Sequence, residues 1–389
     1  MRFFLVGPVI LAALLPLWTT FKSAAAFVPA QINRERRLPT ITTIQSSISG
    51  EEIYNRLQEQ LAKLRDRDRR SKLIKPEVSQ LKMVEFIWDN HHKTKIPNLF
   101  LPSLQDLKIV YEDNHLIVVD KPPGILCVPS EEGIPSLAQT VYEKCRKEKS
   151  LKVNSMDQMV VHRLGMETSG LVVFTKTMDS LRGMNTLFRT RSVTRQYEAL
   201  VCGHVQKVDA TTNREEFGWI TLPLMRDFEC PPFMRISTDQ LQEVLIGLDP
   251  DVVGKRLLEA PKASLTKYEI VSRENLSAPG SDAKFPVTRL TLTAITGRTH
   301  QLNVHLAAFG HPIVGDKIYG FDGDALPNGG LDVAIREKNN PTRASEDLQE
   351  QIAAVAEAKG MNMCAHAKYL SFRHPITTED ISFSSSAPF

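Results

Sequence analysis

One stretch narrows the possibilities for this chain more than any other: residues 160–174, where a dense polar loop runs straight into an apolar, β-branched string. His162, Arg163, Glu167, Thr168 and Ser169 belong to the loop, and Leu171, Val172, Val173 and Phe174 to the string. A short apolar run bounded by turn signals is the pattern of a buried strand. Gly170 stands where the chain turns into that strand, a place that favours a residue without a Cβ. A sheet therefore lies at the centre of the fold, with polar residues gathered at the mouth of one strand, where binding and catalytic groups concentrate. The bland alternative is an ordinary surface turn, and the order of the remaining residues decides between them.

Strand patterns recur on both sides of the loop. Residues 108–111 and 115–119 flank Glu112, Asp113 and Asn114, a hairpin signal. Pro122 and Pro123 then force an extended loop closed by Gly124. Residues 193–201 alternate like a half-buried strand, and 265–271, 287–295, 368–372 and 381–383 read as further strands. Helical spacing places Leu181, Met184, Leu187 and Phe188 on a core stripe, leaving Arg182, Arg189 and Arg191 open to phosphate or to solvent. A second helix runs over 300–309 and ends at Gly310 in a C-cap position. Residues 316–340, rich in Gly and Asp, read as an inserted loop, and 344–358 as an exposed helix of weak amphipathicity. Many strands with a few helices, not in alternation, make the class α+β.

The chain has 389 residues, 42% of them hydrophobic, enough for one large domain or two medium ones. A net charge of +3 is compatible with nucleic-acid binding without demanding it. The five cysteines are far apart and form no CxxC, so neither a zinc site nor a disulfide framework is indicated, and buried reduced thiols are expected. At the N-terminus Arg2 precedes an apolar run over 3–18, shorter than the ~20 residues that span a bilayer. Small residues at 23–26 and an Arg-, Ser- and Thr-rich stretch follow. A signal peptide joined to such an extension, with Phe27 after the small residues, resembles the two-part presequence of complex plastids. Residues 1–45 are therefore read as a signal-plus-transit presequence, with the plastid as destination and the secretory pathway as the alternative. The mature form is expected to lack a membrane segment. Residues 46–106 form a helical extension, with Ile53, Leu57, Leu61 and Leu64 on one stripe and a break at Pro76. It is either an RNA- or partner-contacting arm or a solvated appendage, and His91 and His92 within it read as surface residues. The compact domain spans 107–389.

Some motifs fail on inspection. Gly165-x4-Gly170 opens like a phosphate-binding P-loop, but Leu171 and Val172 stand where Lys and Ser/Thr are required. His300 and His305 are five residues apart, about 140° around a helix, so they do not face one metal. No metal and no cofactor is supported. The string His162-Arg163-Leu164-x-x-x-Thr168-Ser169-Gly170 resembles motif II of the RluA-type RNA pseudouridine synthases, whose form is His-Arg-Leu-Asp-x-x-Thr-Ser-Gly. Val110 to Asp113 with Asp120 to Gly124 is similar to the family's first motif. Arg191-x-Val193-x-Arg195-x-Tyr197 resembles the strand that carries its active-site tyrosine. Gly297 to Leu302 through Gly310 to Asp316 resembles the third motif, and Ala365 to Ala367 with Phe372, His374 and Pro375 the closing segment.

The resemblance implies a mixed, mostly antiparallel sheet with flanking helices, and a cleft that takes a flipped-out uridine of structured RNA, rRNA or tRNA. It also implies cofactor-free isomerisation by a monomer. Turning a base on its sugar needs a nucleophile or base beside the ribose, with the nucleotide out of the stack. The family supplies an aspartate after His-Arg-Leu, held ionised by an arginine from Gln-Leu-Arg-Val-His, and a tyrosine that stacks on the base. Here Gly165 occupies the aspartate's position, Asn303 the arginine's, and Tyr197 the tyrosine's. An arginine left beside a missing carboxylate would be a poorly paired buried charge costing several kcal/mol, so the two groups are read as lost together. Lys121, His162, Arg163 and Arg298 are expected to contact RNA; the plainer reading makes Tyr197 core and puts Lys121 and Arg298 in surface ion pairs. Glu167 and Asp157 are the carboxylates nearest in sequence, neither at the motif position. Three readings result: an RNA-binding family protein without the family catalysis, an active synthase using a different acid, and a structural or assembly protein that does not bind RNA.

Overall fold

In the computed structural model the described residues are 107–130, 134–206, 217–227, 230, 232–246, 259–280, 282–331 and 343–389. The expected presequence 1–45 and the helical extension 46–106, His91 and His92 included, lie outside them. The strands are β1 (Ile109–Glu112), β2 (Leu116–Lys121), β3 (Ser169–Thr175), β4 (Thr194–Cys202), β5 (Phe217–Thr221), β6 (Leu224–Arg226), β7 (Met234–Ile236), β8 (Leu265–Ser277), β9 (Lys284–Ala294), β10 (Ala365–Arg373) and β11 (Asp380–Ser384). Nine of them form one sheet in the order β1-β2-β3-β10-β4-β9-β8-β5, with β11 added to β10, while β6 and β7 pair separately. β3 and β10 run parallel, and the other pairings are antiparallel. The fold is α+β with a mixed, mostly antiparallel sheet, as the sequence implied.

Local chemistry explains the elements that hold the polar loop. The β1–β2 hairpin closes because the Asp113 carboxylate accepts from the backbone N–H groups of His115 at 2.7 Å and Leu116 at 2.6 Å. Helix α1 (Leu137–Lys147) starts at Ser136, whose hydroxyl accepts from the Gln139 N–H. Helix α2 (Met178–Arg189) starts with a reciprocal Thr177/Ser180 capping box. The two helices explain why the run Leu171–Phe174 has no polar face. Leu171 and Val173 pack with Met184 of α2, whereas Val172 and Phe174 pack with Leu137 and Val141 of α1. Helix α3 (Asp239–Ile246) buries Leu241 and Leu245.

Two expectations change on the other half of the sheet. The 344–358 segment is helical as α5 (Glu346–Ala358), but it is not exposed: Ile352, Val355 and Ala356 join the core cluster of Val201, Tyr268, Leu290 and Leu292. These three, with the partly buried Leu348, suffice to dock it, because β4, β8 and β9 present a continuous apolar face there. Nor are residues 317–331 a detached insertion. Tyr319, Ala325 and Leu331 pack with Val304 and Ala307 of helix α4 (Gln301–Phe309); residues 332–340 lie outside the description. Gly310 ends α4 at φ 89°, the left-handed C-cap expected for it. No helix among the described residues is long and apolar enough to cross a membrane.

Candidate functional site

The loop after His162 is fastened at four points. Lys121, fully buried at the end of β2, donates from Nζ to the carbonyls of Met166 at 2.7 Å, Thr168 at 2.8 Å and Pro122 at 3.0 Å. The Gly124 N–H also reaches the Met166 carbonyl, at 3.0 Å. Ser169 Oγ lies 2.9 Å from His366 Nδ1 on β10. Gly170, at φ 111°, lies so close to the Ala367 backbone that a Cβ there would overlap it. The glycine read as a turn is thus required by the close approach of two parallel strands.

This corrects two of the expected RNA contacts. Lys121 is neither a phosphate ligand nor a surface ion-pair partner. Its three N–H groups are used on carbonyls, and burial pushes its pKa down to about 8. His162 is likewise turned inward. Its ring stacks on Phe188 with centroids 5.0 Å apart, and Nε2 accepts from the Val173 N–H at 3.0 Å. Burial, and then the nearby Arg195 charge, pushes its pKa down to about 3, so the imidazole is neutral. Both residues shape the loop, and the exposed groups on it are Arg163 and Gly165.

The third motif is held by a dense set of its own hydrogen bonds. Gln301, buried, locks its turn: Oε1 accepts from the Arg298 N–H and the Thr296 hydroxyl, and Nε2 donates to the Leu265 carbonyl and Thr266 Oγ1. Asn303, one turn into α4, donates from Nδ2 to Asp316 Oδ2 at 2.8 Å and lies 3.2 Å from Met363 Sδ. Asp316 Oδ1 accepts from the Ile318 and Tyr319 N–H groups. Burial raises the Asp316 pKa against these bonds. His300 lies 2.8 Å from the Tyr319 hydroxyl through Nδ1. Its pKa is lowered by burial, with Asp316 opposing that shift and the Arg163 charge adding to it.

Tyr197 completes the arrangement from β4. It packs on the core cluster that also carries Leu302 and Met363, and on the cluster containing Leu164 and Ala367. Tyr197 thus shares one cluster with Leu164, the neighbour of Gly165, and another with Leu302 and Met363, the neighbour and contact of Asn303. Arg298 lines a cleft together with Arg195 of β4, and its Nε lies 3.4 Å from the Ala263 carbonyl. Glu167 is half-buried and Asp157 lies exposed in the 3₁₀ turn Met156–Met159. The feature missed in the sequence is the Asn303–Asp316 contact. In the sequence Asp316 stands at the end of the third motif and reads as the start of a loop, and an amide at 303 gives no sign of its partner.

A Cβ at Gly165 would meet only Thr168 Oγ1, at 3.4 Å, and the backbone there is in an ordinary region. The backbone thus accommodates a side chain at this position, and none is present. No other carboxylate is offered in its place by Asp316, whose oxygens are committed to three donors.

Comparison with known proteins adds the following. Residues 115–308 match the family described as RNA pseudouridylate synthase. The dual-specificity RNA pseudouridine synthase RluA of Pasteurella multocida is 32% identical over 288 residues, 74% of this chain and 96% of that protein. The ribosomal large subunit pseudouridine synthase D of Buchnera aphidicola subsp. Schizaphis graminum is 28% identical over 295 residues, 76% of this chain and 73% of that protein. Among solved structures, human RNA pseudouridylate synthase domain containing 1 is similar at 24% identity with a TM-score of 0.46, covering 75% of this chain and 87% of that one.

Proposed function

The chain belongs to the RluA-type RNA pseudouridine synthase family, and from that membership we propose that it binds structured RNA, rRNA or tRNA, with a flipped-out uridine against Tyr197 and without the family's carboxylate chemistry. The observation that carries this reading is the double departure at the site. Gly165 supplies no carboxylate where the backbone has room for one, and Asn303 is committed to Asp316 and Met363. A lone Asp-to-Gly change would leave an arginine buried without its counter-charge; the amide removes that cost. Arg163, exposed on the loop, and Tyr197, half-buried on β4, remain to hold a phosphate and a base.

Conversion of uridine to pseudouridine releases the hydrogen at C5, so tritium at that carbon counts turnovers. The full chain incubated with C5-tritiated rRNA and tRNA is expected to release none while shifting the RNA in a salt-sensitive way. Gly165→Asp with Asn303→Arg should restore measurable release, and Gly165→Asp alone less, because a carboxylate without its arginine is neither oriented nor held ionised. Tritium release by the unmodified chain refutes the non-catalytic reading in favour of a different acid. The absence of any RNA shift would favour a structural role instead.

A further inference from the structure

At the start of β4 the surface opens into a cleft of about 330 Å³, lined by Arg189, Arg191, Arg195 and Arg298 around Phe188 and Ile295. No acidic side chain is among its lining residues. In a chain whose net charge is only +3, this is a local concentration of cations. None of the four arginines forms an ion pair among the described residues; Arg298 makes one long contact to a backbone carbonyl.

Arg195 is the most built of the four. Its guanidinium lies over the Phe188 ring, 5.7 Å from the centroid, and its Nε is buried with no hydrogen-bond partner. A Cβ on Gly297 would stand 2.8 Å from one of its terminal nitrogens, so the glycine leaves the room that the guanidinium uses. A buried donor without an acceptor is unfavourable unless a ligand supplies one. Arg195 and Tyr197 stand two residues apart near the start of β4. Arg195 of the cleft is therefore about 7 Å along the strand from the tyrosine. The Phe188 ring that carries Arg195 also carries His162 of the loop, so cleft and site share a wall.

We propose that this cleft binds the backbone phosphates of the RNA strand next to the nucleotide held at Tyr197. The proposal rests on the RNA-binding reading above and adds a second point of attachment to it. Guanidinium forks match phosphate oxygens two at a time, and the apolar floor of Phe188 and Ile295 accepts ribose or a base edge. The site would hold the strand whether or not the uridine is turned over, and so offers a use for a fold that has lost its carboxylate.

The test uses the full chain, a structured tRNA transcript and inorganic tripolyphosphate. Arg189→Gln, Arg191→Gln and Arg298→Gln are combined in one variant. A control with the same charge loss combines Lys147→Gln, Lys284→Gln and Lys359→Gln, all exposed and away from the cleft. Loss of two single-strand phosphate contacts at ~0.1 M salt weakens RNA binding about 25-fold and lowers the salt slope by about 1.4. The arginine variant is expected to show both, and the control to stay within about threefold of the native chain. If the arginine variant binds RNA like the control, the cleft proposal is overturned while the RNA reading stands. If the native chain binds tripolyphosphate, the arginine variant does not, and neither binds RNA, the anion site stands and the RNA reading falls. Failure of the native chain to bind either probe overturns both.

Discussion

Gly165 and Gly170 lie five residues apart in one loop and should respond in opposite ways to one added methyl group. At Gly170 the φ of 111° is outside the range L-residues favour, and a Cβ would overlap the Ala367 carbonyl oxygen and stand 2.6 Å from its nitrogen and 2.8 Å from its carbonyl carbon. These are backbone atoms of β10 and cannot swing aside. The positive φ costs about 1–2 kcal/mol. Moving β3 away from β10 disturbs the parallel pairing of Ser169 with His366 and Gly170 with Ala367, at about 1 kcal/mol for each hydrogen bond weakened. Gly170→Ala should therefore lose about 3–4 kcal/mol, a fall of roughly 5–7 °C in melting temperature for a unit of this size. At Gly165 the new Cβ meets Thr168 Oγ1 at 3.4 Å, an ordinary contact on an ordinary backbone. Gly165→Ala should gain about 0.4–1 kcal/mol by reducing the freedom of the unfolded chain. Thermal and urea melts of both variants beside the native chain measure the contrast. A Gly170→Ala melt within 2 °C of native, or a comparable fall for Gly165→Ala, would show that the loop is not held as described. The gain at 165 also matters for function, since it means the backbone does not dictate the missing carboxylate.

Two further expectations concern buried charge. Lys121 has a folded pKa of about 8 against 10.5 when exposed, so the unfolded chain binds more protons between those values. Its contribution to stability therefore rises with pH across that window, by up to about 3 kcal/mol; the stability difference between native and Lys121→Met from pH 7.5 to 10.5 should follow it, and a flat difference would refute it. His162 is pushed by burial to about 3, and His305 and His311 to about 4, all from 6.5. The unfolded chain protonates at these sites first as pH falls below 6.5, so stability drops by about 5 kcal/mol between pH 7 and pH 5. Melting temperatures equal at those two pH values would sink that account.

Much of the sheet was readable because its strands are punctuated. Glu112 to Asn114, the run from Leu171 to Phe174, and Gly310 each act through local chemistry that a linear reading captures. Other features depend on partners distant in sequence. Lys121 looks like a phosphate ligand until the Met166 and Thr168 carbonyls, more than forty residues away, are seen to accept its hydrogen bonds. His162 looks exposed in a polar string, yet Phe188 and the Val173 N–H turn it inward. Helix α5 looks solvated because its apolar residues are few, and the face they meet is assembled from three other strands. At the site, the residue types at 165, 197 and 303 could be read directly. The Asp316 contact and the arginine cleft could not, since each gathers residues from two or more elements.

The place of β10 in the sheet bears on how the protein is made. Among the described residues, the strands β1–β3 and the strands β4, β9, β8 and β5 pair with one another only through β10, which leaves the ribosome well after both groups. At about 5–20 residues per second, the interval between the completion of β4 and the arrival of β10 is roughly ten to thirty seconds. For that time the nascent chain carries two open strand edges, each able to pair with a foreign strand. A chain stopped before residue 365 would therefore be two unjoined half-sheets and a target for chaperones, rather than a shortened version of the same protein.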